Sequence, residues 1–145
     1  MTTTMPTPLD GEQRATLAAL ADVLVPATLG MPSASDVDVP GKWADRVLAV
    51  RPDLGPAVLR VLHAAKGADP REVLRRLSEE DPDGLAALGT LVTGAYYLHP
   101  RVRGLLGYPG QPSAPVQEGE SDHYLRNGIL DPVRARGSIY RPTPT

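Results

Sequence analysis

The chain has 145 residues and no cysteine. That excludes disulfide frameworks, thiolate metal sites, cysteine-ligated iron–sulfur clusters and cysteine nucleophiles. It also has no phenylalanine, and aromatic residues make up only 4%. No basic excess is present. Lys and Arg number 15 against 17 Asp and Glu, a formal charge of −2, which argues against a general nucleic-acid binder. Long apolar runs are missing too: the longest, Leu17 to Ala21, spans five residues, whereas a membrane helix needs about 20. The opening residues show no basic n-region, no twin arginine and no apolar h-region, so the expected location is cytoplasmic. No Gly-x-Ser-x-Gly elbow and no phosphate-cradling Gly-rich loop occurs.

What is present reads as short helices. Hydrophobic residues make up 41%, enough for one packed domain of this length. The expected fold is all-α: five or six short helices, with residues 1–8 as an N-terminal tail, 9–106 as the helical body and 107–145 as a long irregular Pro-rich arm.

Thr7-Pro8-Leu9-Asp10 reads as the start of the first helix, with Thr7 as cap and Pro8 in the first turn. Leu17, Leu20, Ala21 and Leu24 then follow at helical spacing, and Pro26 ends the helix. Residues 26–40 read as a long connection. A second helix over Gly41–Val50 places Trp43, Val47 and Val50 on one face. A third over Gly55–Lys66 carries Val58, Leu59, Leu62 and Ala65, with Gly67 as C-cap.

Asp69-Pro70-Arg71-Glu72 combines a cap, a first-turn proline and a capping-box acid ahead of Val73, Leu74 and Leu77. Asp81-Pro82 opens the most apolar segment, with Leu85, Leu88, Leu91, Val92, Ala95 and Leu98, which is expected at the centre. Gly89 and Gly94 inside it suggest close approach of a neighbouring element. A short helix from Arg101 to Leu106 follows Pro100.

The arm holds six prolines in 39 residues yet carries Tyr108, Tyr124, Leu125, Ile129, Ile139 and Tyr140. A disordered tail lacks such residues, so the arm is expected to lie on the body or on a partner. Asp131 to Gly137 reads as one helical turn between a capping Asp and a terminating Gly.

The three histidines, His63, His99 and His123, are not paired at helical spacing, so no ready metal pair exists. His99 is expected at the C-terminal end of the fifth helix, where the dipole favours a cation. The run from Arg71 to Glu80 interleaves charges, with Glu72–Arg76 and Arg75–Glu79 as i, i+4 pairs, which describes a solvated helix face. Arg101 and Arg103, then Arg126, Arg134, Arg136 and Arg141, are less balanced. Arginine with tyrosine is the composition of interface anchors, and the acids at 118, 120 and 122 argue against a phosphate backbone as ligand. Tyr96 and Tyr97 point about 100° apart on a helix, so one is core and the other faces outward. The residues expected to bear on a partner are Trp43, Tyr96, Tyr97, Tyr108, Tyr124, Leu125, Ile129, Tyr140 and Arg141, with Trp43 favoured as a core anchor.

Three blocks in this order resemble the gluconate 2-dehydrogenase subunit 3 family: Thr16 to Thr28 with the loop Gly30 to Ser35; Gly94-Ala95-Tyr96-Tyr97-Leu98-His99-Pro100 followed by Leu106 to Gln111; and Leu130-Asp131-Pro132-Val133 to Ile139-Tyr140-Arg141. The similarity spans about residues 9 to 141. It implies a non-catalytic small subunit that binds, stabilises or helps mature a flavoprotein large subunit of the glucose–methanol–choline type. Such a complex oxidises a sugar, a sugar acid or a related alcohol. FAD would sit on the partner, with no cofactor, metal or catalytic residue in this chain, no nucleic acid and no membrane insertion. Exported members carry a twin-arginine signal on this subunit. Its absence here points to an intracellular complex. Two other classes stand beside this one: a stand-alone helical regulatory module, and an enzyme built on one of the histidines.

Overall fold

The structure is a computed structural model that describes residues 8–111, 119, 126–137 and 139. The fold is all-α, and the chain divides into two compact units, Met1–Gly110 and Gln111–Thr145.

In the first unit α1 covers Gly11–Leu24, α2 Ala44–Val50, α3 Gly55–Ala65, α4 Pro70–Glu80, α5 Pro82–Leu98 and α6 Pro100–Leu105. The cap of α1 is Asp10, three residues after the expected Thr7, which lies outside the described residues. The Asp10 carboxylate accepts from the Gln13 N–H while the Gln13 side chain accepts from the Asp10 N–H. This reciprocal box satisfies two orphan donors, more than a lone threonine cap offers. Asp69 and Asp81 cap α4 and α5 as expected, with proline next in each case. The Glu72 side chain does not return to its cap. It pairs with Arg75, which also holds Glu79. The expected Arg75–Glu79 pair therefore forms, and Glu72 takes Arg75 in place of Arg76.

α5 is the central element and packs against each of the other five helices. Leu88, Leu91, Val92 and Ala95 have no exposed surface. Four expected core positions fall outside. Leu24, Val50, Leu59 and Leu98 are exposed, and Leu48, Val61 and Tyr96 are buried in place of the last three. Each of these exchanges is two positions along a helix, the rotation that a neighbour's placement decides.

The two glycines expected to admit a neighbour do not. A methyl on Gly89 would meet nothing within 4 Å, and one on Gly94 would make ordinary contact with Val47. The close approach is at Gly84, where a methyl would collide with the Asp81 carboxylate and come within 2.9 Å of Val61.

Residues 25–43 are more structured than a bare connection. A single-turn 3₁₀ helix, Ser35–Val37, leads into a π-turn, Val39–Trp43, which continues into α2. Pro32, Ala34, Val37 and Val39 are buried. The segment is tied to α1 by the Asp22 carboxylate, which accepts from the Ser35 N–H at 2.8 Å, and by Ala34 N–H to Val25 carbonyl at 3.0 Å. Arg14 extends one guanidinium nitrogen to the Pro40 carbonyl at 2.9 Å and grips both oxygens of Asp45 with the other, at 3.0 and 2.8 Å.

The helical body does not end at residue 106. Tyr108 N–H donates to the Arg103 carbonyl at 2.9 Å, and the Arg103 guanidinium reaches the Pro109 carbonyl at 3.1 Å. Tyr108 and Pro109 are therefore part of the body.

In the second unit α7 covers Asp131–Arg136. Its cap position is Leu130, not Asp131, with no side-chain cap bond, and Gly137 follows it at φ +74°. No residue of α7 is buried, and Ile129, Val133 and Ile139 are exposed. Among the described residues no helix is long and apolar enough to cross a membrane.

Candidate partner interface

The C-terminal end of α5 gathers most of the aromatic residues of the body. Tyr96 is buried, and its hydroxyl donates to the Pro32 carbonyl at 2.8 Å. Burial raises its pKa above the ordinary phenol value, with the charge of Tyr97 adding to the effect. Tyr97 stands edge-on to it at 5.6 Å and is 56% exposed. The consecutive tyrosines thus divide into one core and one surface residue.

Trp43 is a core residue. Its indole N–H is buried and makes no hydrogen bond. The ring meets His99 edge-on at 5.4 Å, and Lys42 and Arg46 lie over it at 5.1 and 5.9 Å. Trp43 and Tyr96, grouped with the partner-facing residues on sequence, thus stand behind the surface, because each fills space inside the body. His99 closes the C-terminal end of α5, as expected, its N–H donating to the Tyr96 carbonyl at 3.1 Å. It is the N-cap of α6, and its Nδ1 accepts from the Arg101 N–H at 3.1 Å. The imidazole itself serves the start of α6, where an acceptor is required.

Around this base the surface is apolar and cationic. Tyr97, Leu98, Leu105, Leu106 and Tyr108 are all exposed. Arg103 lies over the Tyr108 ring at 5.8 Å. Among the described residues Lys42, Arg46, Arg101 and Arg103 form no ion pair, whereas Arg14, Arg51, Arg60, Lys66 and Arg75 each hold a carboxylate. Arg71 and Arg76 on α4 are also without ion pairs, but they are interleaved with Glu72, Glu79 and Glu80. The acids beside the α5 end serve the backbone. Asp38 accepts from the Lys42 N–H. Asp36 accepts from the Ser33 N–H, which with the Ser33 hydroxyl and the nearby charge of Arg101 lowers its pKa.

The loop bound by Tyr96 carries an unusual tip. Thr28 and Met31 exchange both backbone hydrogen bonds, at 3.1 and 2.8 Å, around Leu29 and Gly30. Both central residues have positive φ, +49° for Leu29 and +82° for Gly30. This is the two-residue reverse turn that favours Asn-Gly. A leucine there costs on the order of 1–2 kcal/mol, and the Leu29 side chain is 99% exposed.

Of the other residues expected at a partner surface, Ile129 is exposed on the second unit. Tyr124, Leu125, Tyr140 and Arg141 lie outside the described residues, as does His123. Sequence reasoning missed Leu29, Leu105 and Leu106. Leu105 and Leu106 fall in a short segment with no visible helix face. Nothing local marks Leu29, since leucine is not a turn former.

His63 is exposed and stands well away from His99 in the sequence of elements. It lines a hollow of about 160 Å³ with Asp10, Glu12 and Lys66. Asp10 caps α1 and Glu12 pairs with Lys66 at 2.8 Å, so both acids have structural partners. An adjoining groove of about 410 Å³ is lined mainly by small apolar residues, among them Ala15, Ala19, Ala65 and Ala68. Among the described residues no group of three or more histidines and carboxylates is placed to hold a metal ion.

The chain matches none of the protein-family models, curated proteins or solved structures with which it was compared.

Proposed function

We propose that this chain is a non-catalytic accessory subunit that binds and stabilises, or helps mature, an FAD-dependent dehydrogenase acting on a sugar, sugar acid or related alcohol. The observation that carries partner binding is the exposed group Tyr97, Leu105, Leu106 and Tyr108 beside arginines without ion pairs at one end of a well-packed helical body. Exposed aromatics backed by a rigid core, with arginine between them, have the composition of protein–protein hot spots. The resemblance of the three sequence blocks to the gluconate 2-dehydrogenase subunit 3 family supplies the kind of partner. On this reading the flavin and the reacting groups belong to the large subunit. His99 supports the reading, since it is engaged in packing and capping.

The test is co-expression of this chain with the nearest-encoded flavoprotein of the glucose–methanol–choline type, followed by size exclusion with absorbance at the flavin band. Co-elution, and loss of soluble flavoprotein when this chain is omitted, are the expected results. A flavoprotein that stays soluble, active and separate refutes the proposal.

A further inference from the structure

Two observations at the α5 end bear on how a partner would be held. The first is Leu29. Its turn is closed by two hydrogen bonds and anchored through Pro32 to the buried Tyr96, so its position is rigid. Its backbone has a left-handed conformation that leucine rarely adopts, and its side chain touches almost nothing. Within this chain the residue has an unfavourable conformation and no compensating contact. Strained, over-determined positions of this kind are typical of binding sites. The second observation is charge. Arg101, Arg103, Lys42 and Arg46 stand around the same end without ion pairs, while the other basic residues of α1, α3 and the α2–α3 connection are paired.

We infer that this end of the body is the docking face for the flavoprotein subunit, with Leu29 inserting as a preformed knob into an apolar pocket whose rim carries carboxylates facing Arg101 and its neighbours. The inference rests on the proposed function and adds to it where the partner binds and with what chemistry. A protein surface fits better than a nucleic acid, because only four cations are present and Asp36 and Asp38 lie among them. It also fits better than a lipid surface, because α6 is only six residues long and offers no extended amphipathic face. A side chain held in its bound position beforehand loses little freedom on binding.

The experiment measures stability and affinity together on the full chain, with the purified FAD-loaded flavoprotein as probe. Leu29→Asn creates the preferred Asn-Gly turn. It is expected to raise Tm by about 4 °C and to weaken binding at least about tenfold. Arg101→Glu is expected to slow association and to flatten its salt dependence. A residue with only a structural role would not show higher stability with lower affinity. If the parent chain binds the flavoprotein and Leu29→Asn binds it equally well, or if Leu29→Asn lowers Tm, the docking face is wrong and the proposed function stands. If the parent chain does not bind the flavoprotein, both fail. Binding to duplex DNA or anionic vesicles in its place, or self-association that Leu29→Asn abolishes, overturns the assigned occupant.

Discussion

The Tyr96 hydroxyl donates to the Pro32 carbonyl at 2.8 Å across 64 residues of sequence, and both residues are buried. This bond joins the loop after α1 to the end of the central helix. Tyr96→Phe keeps the ring and leaves the carbonyl without its donor. It is expected to lower stability by about 1–2 kcal/mol, which thermal unfolding followed by circular dichroism would read. The same phenol holds its proton more tightly in the folded state, because burial opposes the phenolate. Its contribution is therefore complete below the unfolded value of about 10. It is lost as pH rises through the higher folded value. Tyr96→Phe should flatten the alkaline limb of a stability–pH profile. An unchanged limb would mean that another group carries it.

Glycines in α5 separate by what surrounds them. Gly84→Ala places a methyl against the Asp81 carboxylate and Val61. Despite the gain in helix propensity it is expected to cost about 1–3 kcal/mol. Gly89→Ala meets open space and should gain about 0.5–1 kcal/mol. Chemical denaturation of the two variants tests the contrast. Equal effects would show that propensity alone governs the helix.

Asp81 both caps α5, accepting from the Gly84 N–H at 3.0 Å, and holds Arg60 at 3.0 Å. Its pKa is lowered, first by the Gly84 N–H and then by Arg60. A lowered carboxyl stabilises the fold above its unfolded pKa, about 4, and the contribution is lost as pH falls through the folded value. Asp81→Asn retains a cap and loses the charge. The variant should melt a few degrees lower at neutral pH and lose less stability on acidification. A parent-like acid limb would assign that limb to other carboxylates.

Residues 111–145 form their own unit. Deleting them should leave the far-ultraviolet spectrum per helical residue and the cooperative melt of the body intact. Deleting from residue 108 should lower Tm, because Tyr108 and Pro109 bond to Arg103. Pull-down of the flavoprotein by each truncation then tests the arm. Reduced capture by the shorter deletion is expected if the arm clamps the partner, and full capture would limit binding to the body.

The local features of this chain were legible from the sequence itself. The all-α class, the Asp69-Pro70 and Asp81-Pro82 starts and the Gly67 stop depend on bonds within one turn of backbone, so their residues carry the whole signal. The centrality of α5 was legible too, because its apolar content leaves it nowhere else to go. Tertiary structure decided the rest. Whether Leu59 or Val61, Leu98 or Tyr96, faced inward depended on how each helix was rotated against its neighbours. The order of residues 32–40 comes from Asp22, Arg14 and Tyr96, which lie on other elements. The strained Leu29 and the exposed Leu105 and Leu106 were invisible for the same reason. A residue's sequence neighbours set its local geometry, but only the packing of distant segments decides which side chains are left without a contact.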